Sequence, residues 1–127
     1  MAETKSILLV EDEPLLANLL RQRLEHEGFS VTWNRDGEQA MKTLRDTKPD
    51  LVLLDIILPK ISGFKLLETM KVDPTIERPP IIIISNLGQD SDVAKGQALG
   101  AVQYFVKAKL SIEELVSQVK LFFGMEK

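Results

Sequence analysis

The stretch Leu51-Val52-Leu53-Leu54-Asp55-Ile56-Ile57-Leu58-Pro59 sets one carboxylate in an otherwise apolar run and stops at a proline. Four consecutive aliphatic residues with no polar alternation describe a strand covered on both faces, as central strands of parallel sheets are. A carboxylate at the end of such a strand must find partners or be neutral. Working outward, similar short runs occur at residues 7–10, 30–33, 81–84 and 103–106, alternating with longer segments of helical period. That alternation describes repeated βα units around a parallel sheet, with the nearly all-apolar runs 7–10, 51–54 and 81–84 at its centre.

The intervening segments carry helix punctuation. Pro14 stands at a first turn, followed by Leu15, Leu16, Leu19, Leu20 and Leu24, which the spacing assigns to one buried face, and Gly28 supplies the stop. Asp36 with Gln39 forms a capping box before Ala40, Met41 and Leu44. A third helix is expected over 62–71 and a fourth over 91–99, the latter weakened by Gly96 and closed by Gly100. Ser111 and Glu114 cap the last helix, whose apolar face is Ile112, Leu115, Val116, Val119 and Phe122. Residues 73–80, with three prolines, form a rigid connection, and the whole chain, 1–127, reads as a single domain.

With 44% hydrophobic and 28% charged residues the chain can bury a core, and a net charge of −3 gives no electrostatic reason to bind nucleic acid or an anionic membrane directly. The absence of cysteine excludes disulfides and thiolate chemistry, and a single histidine, His26, excludes the usual zinc cluster. The first five residues are polar and short, unlike a signal peptide, and no apolar stretch approaches a membrane span. The expectation is a soluble, cytoplasmic protein.

Ligands of open parallel sheets bind beyond the carboxyl ends of the strands. Here those ends run into Glu11 and Asp12, Asp55, Ser85 and Lys107. Right-handed crossovers put all of them on one edge. Three crowded carboxylates repel unless one is protonated or a cation joins them, and oxygen donors without His or Cys favour Mg2+. A carboxylate nucleophile with a magnesium ion, a lysine and a hydroxyl is a workable set for phosphoryl transfer to Asp55.

Taken together, Leu8-Leu9-Val10-Glu11-Asp12-Glu13-Pro14, Asp55-Ile56-Ile57-Leu58-Pro59 with Ser62-Gly63, Ser85, Gly100-Ala101, and Tyr104 ahead of Lys107 resemble a receiver domain of two-component response regulators, of the chemotaxis-regulator type. The resemblance covers nearly the whole chain and implies a flavodoxin-like, doubly wound five-stranded sheet of order 2-1-3-4-5 with five helices. It implies Asp55 as phosphoacceptor, Glu11 and Asp12 as magnesium acids, and an Ile57 backbone carbonyl on the metal. Ser85 and Lys107 would contact the phosphoryl group, and Tyr104 would be a switch aromatic. Two residues depart from the pattern. Asn86 replaces the usual small residue after Ser85, where its amide is expected to narrow access to Asp55 or bond the phosphoryl group. Ala108 replaces the proline that commonly follows the lysine with a cis bond.

The function implied is a phosphorylation-controlled module that receives a phosphoryl group from a histidine kinase or phosphotransfer protein. Its output would pass to a downstream protein partner, or a second copy, through the face of helix four, strand five and helix five, with Tyr104 turning inward on phosphorylation. Rival readings are a phosphorylation-independent pseudo-receiver and a magnesium phosphohydrolase. The latter wants a carboxyl two residues past the nucleophile, where this chain has Ile57. A flavin carrier is disfavoured because Glu11, Asp12 and Glu13 would repel a ligand phosphate. Read singly, Ser85 serves equally as a turn residue and Tyr104 as a core-edge residue. Trp33, at the end of the second run, is expected to lie away from the cleft, and His26 to be solvated.

Overall fold

In a computed structural model, described over residues 4–125, the apolar runs become β1 (Ser6–Val10), β2 (Ser30–Asn34), β3 (Leu51–Leu54), β4 (Ile81–Ser85) and β5 (Gln103–Val106). Between and after them lie α1 (Pro14–His26), α2 (Gly37–Asp46), α3 (Gly63–Val72), α4 (Asp90–Ala98) and α5 (Ile112–Phe122), with a short 3-10 turn at Lys107–Lys109. All strand pairs are parallel and the order is β2-β1-β3-β4-β5. Element types match the sequence reading, with boundaries moved by a residue or so.

The pleat divides the core into two layers. Leu8, Val10, Val52, Leu54, Ile81 and Ile83 face one way, with Ala40 and Met41 of α2 and Leu66 and Leu67 of α3. Ile7, Leu9, Leu51, Leu53, Ile82 and Ile84 face the other, with Leu20 of α1 and Leu115 of α5. Burial on both faces is why these three strands carry no alternation, whereas edge strand β2 alternates between exposed and half-buried residues before ending at buried Asn34.

The expected caps form, except that the Asp36–Gln39 box closes on one side only, Gln39 Oε1 accepting from the Arg35 N–H at 2.9 Å. Asp36 accepts from the Gln39 N–H at 2.8 Å, and Ser111 and Glu114 close a reciprocal box. Ser62 accepts from the Lys65 N–H, so it caps α3 and does not begin it. The α1 face requires correction. Leu15 and Leu19 are exposed, and Ala17, Leu20 and Leu24 are the buried residues. A small alanine at i, i+3, i+7 spacing lets the helix approach the sheet, and a leucine count overlooks it. Gly96 has a packing role too. A Cβ there would lie 2.7 Å from Ile83 Cδ1 and 2.9 Å from Tyr104 Cδ2, so the missing side chain is what lets α4 rest on β4 and β5.

Candidate active site at the carboxyl edge

The ladder aligns the chemistry. Val10 pairs with Leu54, and Ser85 with Val106, so Glu11, Asp55, Ser85 and Lys107 emerge side by side at one edge. Asp55 donates its N–H to the Val10 carbonyl at 3.0 Å, fixing the backbone as it leaves β3. Gly63 secures the returning loop, donating to the Ile56 carbonyl at 2.9 Å. A Cβ on Gly63 would fall 2.5 Å from the Asp55 carbonyl oxygen, so no larger residue fits beneath the aspartate.

Glu11, Asp55 and Ser85 are 1%, 4% and 0% exposed. Lys107 Nζ sits between the two acids, 2.7 Å from Asp55 Oδ2 and 2.8 Å from Glu11 Oε1. Asp55 Oδ1 accepts from the Ile57 N–H at 3.1 Å and Glu11 Oε2 from the Glu13 N–H at 3.0 Å. Burial pushes the Glu11 carboxyl above its ordinary range, and the neighbouring Asp55 charge adds to this, while Lys107 and the Glu13 N–H pull the other way. Burial by itself would lower the Lys107 ammonium, but its bonds to Asp55 and Glu11 outweigh it and hold the lysine above its usual value.

The expected three-carboxylate cluster does not form in this arrangement. Asp12 is exposed at the rim, and among the described residues no three acidic, His or Cys side chains converge as a ready-made metal site. Lys107 is the cation that relieves the repulsion of Glu11 and Asp55. The donor set nevertheless fits a hard divalent ion. Every candidate ligand is oxygen, and the buried Glu11 Oε1 has the Lys107 ammonium as its close partner, a place a cation already fills. Mg2+ takes one or two carboxylates and keeps several waters, so Asp55 and Asp12, with Glu11 behind, meet its needs.

The 85–107 half of the edge shows a linkage that the sequence did not reveal. Leu87 donates its N–H to Ser85 Oγ at 3.3 Å and accepts from the Tyr104 hydroxyl on its carbonyl. The Tyr104 ring is half-buried, against Gly96 and Ile83, and burial, with the Asp92 and Asp55 charges, raises its hydroxyl. Tyr104 thus stands half-buried with its hydroxyl tied to the Leu87 carbonyl, in the space that the small Gly96 leaves. Trp33 is misplaced by the sequence reading. Its Nε1–H donates to the Glu11 carbonyl at 2.8 Å, because β2 and β1 run in register and Leu9 stands beside it. His26 is exposed, as expected.

Asn86 and Ala108, the two departures from the family pattern, meet each other. Asn86 Oδ1 accepts from the Ala108 N–H at 3.1 Å. This bond ties the Asn86 carbonyl oxygen to the turn after β5 and leaves its NH2 group as a donor at the edge of the site. No cis peptide occurs among the described residues, so the Lys107–Ala108 bond is trans.

The family model of the response regulator receiver domain matches residues 7–120. The phosphate regulon transcriptional regulatory protein PhoB of Rhizobium meliloti is 42% identical over 114 residues, 90% of this chain but 50% of that protein. The polar-differentiation response regulator DivK of Brucella ovis is 28% identical over 121 residues, 95% of this chain and 98% of that one. The chain thus spans about half the length of the first relative and nearly all of the second. The phosphorylated cyanobacterial phytochrome response regulator RcpA superposes with a TM-score of 0.81 at 32% identity, covering 94% of this chain and 91% of its own. The buried aspartate beyond β3, the acids beyond β1 and the lysine beyond β5 accordingly stand on a known scaffold: the chain belongs to the response regulator receiver domain family.

Proposed function

We propose that residues 1–127 form one phosphoacceptor receiver that takes a phosphoryl group from a histidine kinase or phosphotransfer protein onto Asp55. The observation that carries this reading is a buried Asp55 carboxylate at the carboxyl edge, with Lys107 Nζ 2.7 Å from one oxygen and its other oxygen held by a backbone N–H. Asp55 attacks the phosphorus of a phosphohistidine. The O–P bond forms as the P–N bond breaks, and the imidazole leaves with the electron pair. Lys107 exchanges its contact with the carboxylate for one with a phosphoryl oxygen, and the Ser85 hydroxyl donates to another. Asp12, Asp55 and the Ile57 carbonyl would hold Mg2+, with Glu11 acting through water. Bound there, the ion supplies positive charge to the phosphoryl oxygens.

A signalling module fits better than a phosphohydrolase, because the position two beyond Asp55 is the apolar, exposed Ile57. No helix among the described residues is long and apolar enough to cross a membrane. We place the protein in the cytoplasm. The Ser85–Leu87–Tyr104 linkage ties the site to α4 and β5, and output passes through α4, β5 and α5 to a protein partner or a second copy. With acetyl phosphate and Mg2+, phosphoryl uptake should stop at one group per chain, and a generic phosphomonoester should not be turned over. Sustained turnover would mean an enzyme, and no uptake a phosphorylation-independent module. Calorimetry should show Mg2+ binding that weakens in Asp12→Ala.

A further inference from the structure

We propose that Asn86 is a positioning residue for Lys107, acting through the backbone of Ala108. The ladder between β4 and β5 ends at the pair Ser85 and Val106. Beyond it the two chains would part, one into the loop toward α4 and the other into the 3-10 turn that carries Lys107. Asn86 Oδ1 adds one more rung by accepting the Ala108 N–H at 3.1 Å. N–H groups at the start of a helical turn have no partner within it, so Ala108 needs an acceptor from outside. The lysine reaches from this turn to Asp55 and Glu11 on a flexible four-carbon stem, and its aim depends on where its Cα is anchored. Asn86 and Ala108 lie with Lys107, Glu13 and Leu16 along a groove of about 400 Å³ beside the site. The Asn86 amide is thus part of the groove wall, bonded to the turn, and sets the lysine from behind.

The positioning stands on the hydrogen bond alone; its effect on phosphoryl chemistry rests on the phosphoacceptor reading. The test compares wild type, Asn86→Ala, Ala108→Pro and the double variant. Proline has no N–H to satisfy and is tolerated in a first helical turn, so the acceptor becomes superfluous in its presence. Beryllofluoride with Mg2+, a stand-in for the phosphoryl group, is titrated while Trp33 fluorescence is followed, and Mg2+ affinity is measured separately. Asn86→Ala should weaken beryllofluoride binding by ~2- to 10-fold, the range of one neutral hydrogen bond, with Mg2+ affinity unchanged. In the Ala108→Pro background the same substitution should change nothing. Equal weakening in both backgrounds, or tighter binding in either, would show that Asn86 acts directly at Asp55 and overturn the proposal. NMR decides the structural half by itself. In Asn86→Ala the Ala108 amide should exchange faster and the 15N signal of the Lys107 ammonium should move toward those of exposed lysines; an unmoved lysine signal would also overturn it. These two signals decide the matter even if Ala108→Pro fails to fold. They also do so if wild type binds no beryllofluoride, a result that would count against the phosphoacceptor reading instead.

Discussion

Asp50 and Asp55 stand at opposite ends of one strand and present the same carboxylate to opposite surroundings. Asp50, exposed at the amino edge, accepts from the Ser6 N–H at 2.8 Å and the Ser6 hydroxyl at 3.3 Å, and returns its own N–H to Ser6, closing the start of β1 onto β3. Asp55, 4% exposed at the carboxyl edge, has one backbone donor and one lysine, which it shares with a second buried acid. The first arrangement is satisfied within the fold and asks for nothing more. The second is two acids to one cation, held in place by neighbours that, on the proposed function, a phosphoryl group and a metal ion would displace. Ligand sites collect at the carboxyl edge of such sheets because the loops there are free to bring charged groups together, and here the contrast is drawn by two aspartates on one strand.

The largest effect should come from taking the shared cation away. Lys107→Met leaves Asp55 and Glu11 buried without their partner, and urea unfolding should show a loss of about 3 kcal/mol, the lower end for breaking a buried ion pair. A loss no greater than that of an exposed lysine variant would mean that the two edges do not differ in kind. Next, Gly63→Ala forces a methyl group against the Asp55 carbonyl oxygen and should cost about 2 kcal/mol by overpacking, with slower phosphorylation. Asp50→Ala should lose about 1 kcal/mol, as expected of exposed hydrogen bonds, and leave phosphorylation at its wild-type rate.

The smallest effect has the opposite sign. Burial raises the Glu11 carboxyl above its ordinary value of 4.5, so its negative charge opposes folding. For an acid raised in the folded state, that penalty is absent below the unfolded value and grows as pH rises through the folded one. Glu11→Gln should therefore melt at a higher temperature than wild type at neutral pH, with the gap closing in acid. A variant less stable at neutral pH would show that the Lys107 contact outweighs burial.

Much of this was legible in the sequence. The apolar runs named the strands, because four or five aliphatic residues bounded by polar ones are too short for a helix, and the strand ends named Glu11, Asp55, Ser85 and Lys107. What stayed hidden was spatial. Leu15 and Leu19 look like core residues until Ala17 is seen to take the contact with the sheet. Trp33 looked remote because its bond to Glu11 crosses between neighbouring strands, though the register of β1 with β2 would have revealed it. Gly96 read as a weak point in α4, when its lack of a side chain is what seats the helix on Tyr104. Asn86 and Ala108 were two separate departures until one hydrogen bond joined them.

The central claim, that only the carboxyl-edge aspartate is chemically reactive, is tested most directly by intact-mass measurement after incubation with acetyl phosphate and Mg2+. Wild type and Asp50→Asn should each gain the mass of one phosphoryl group, and Asp55→Asn should gain none. A phosphoryl group retained in Asp55→Asn, or lost in a folded Asp50→Asn, would contradict the account.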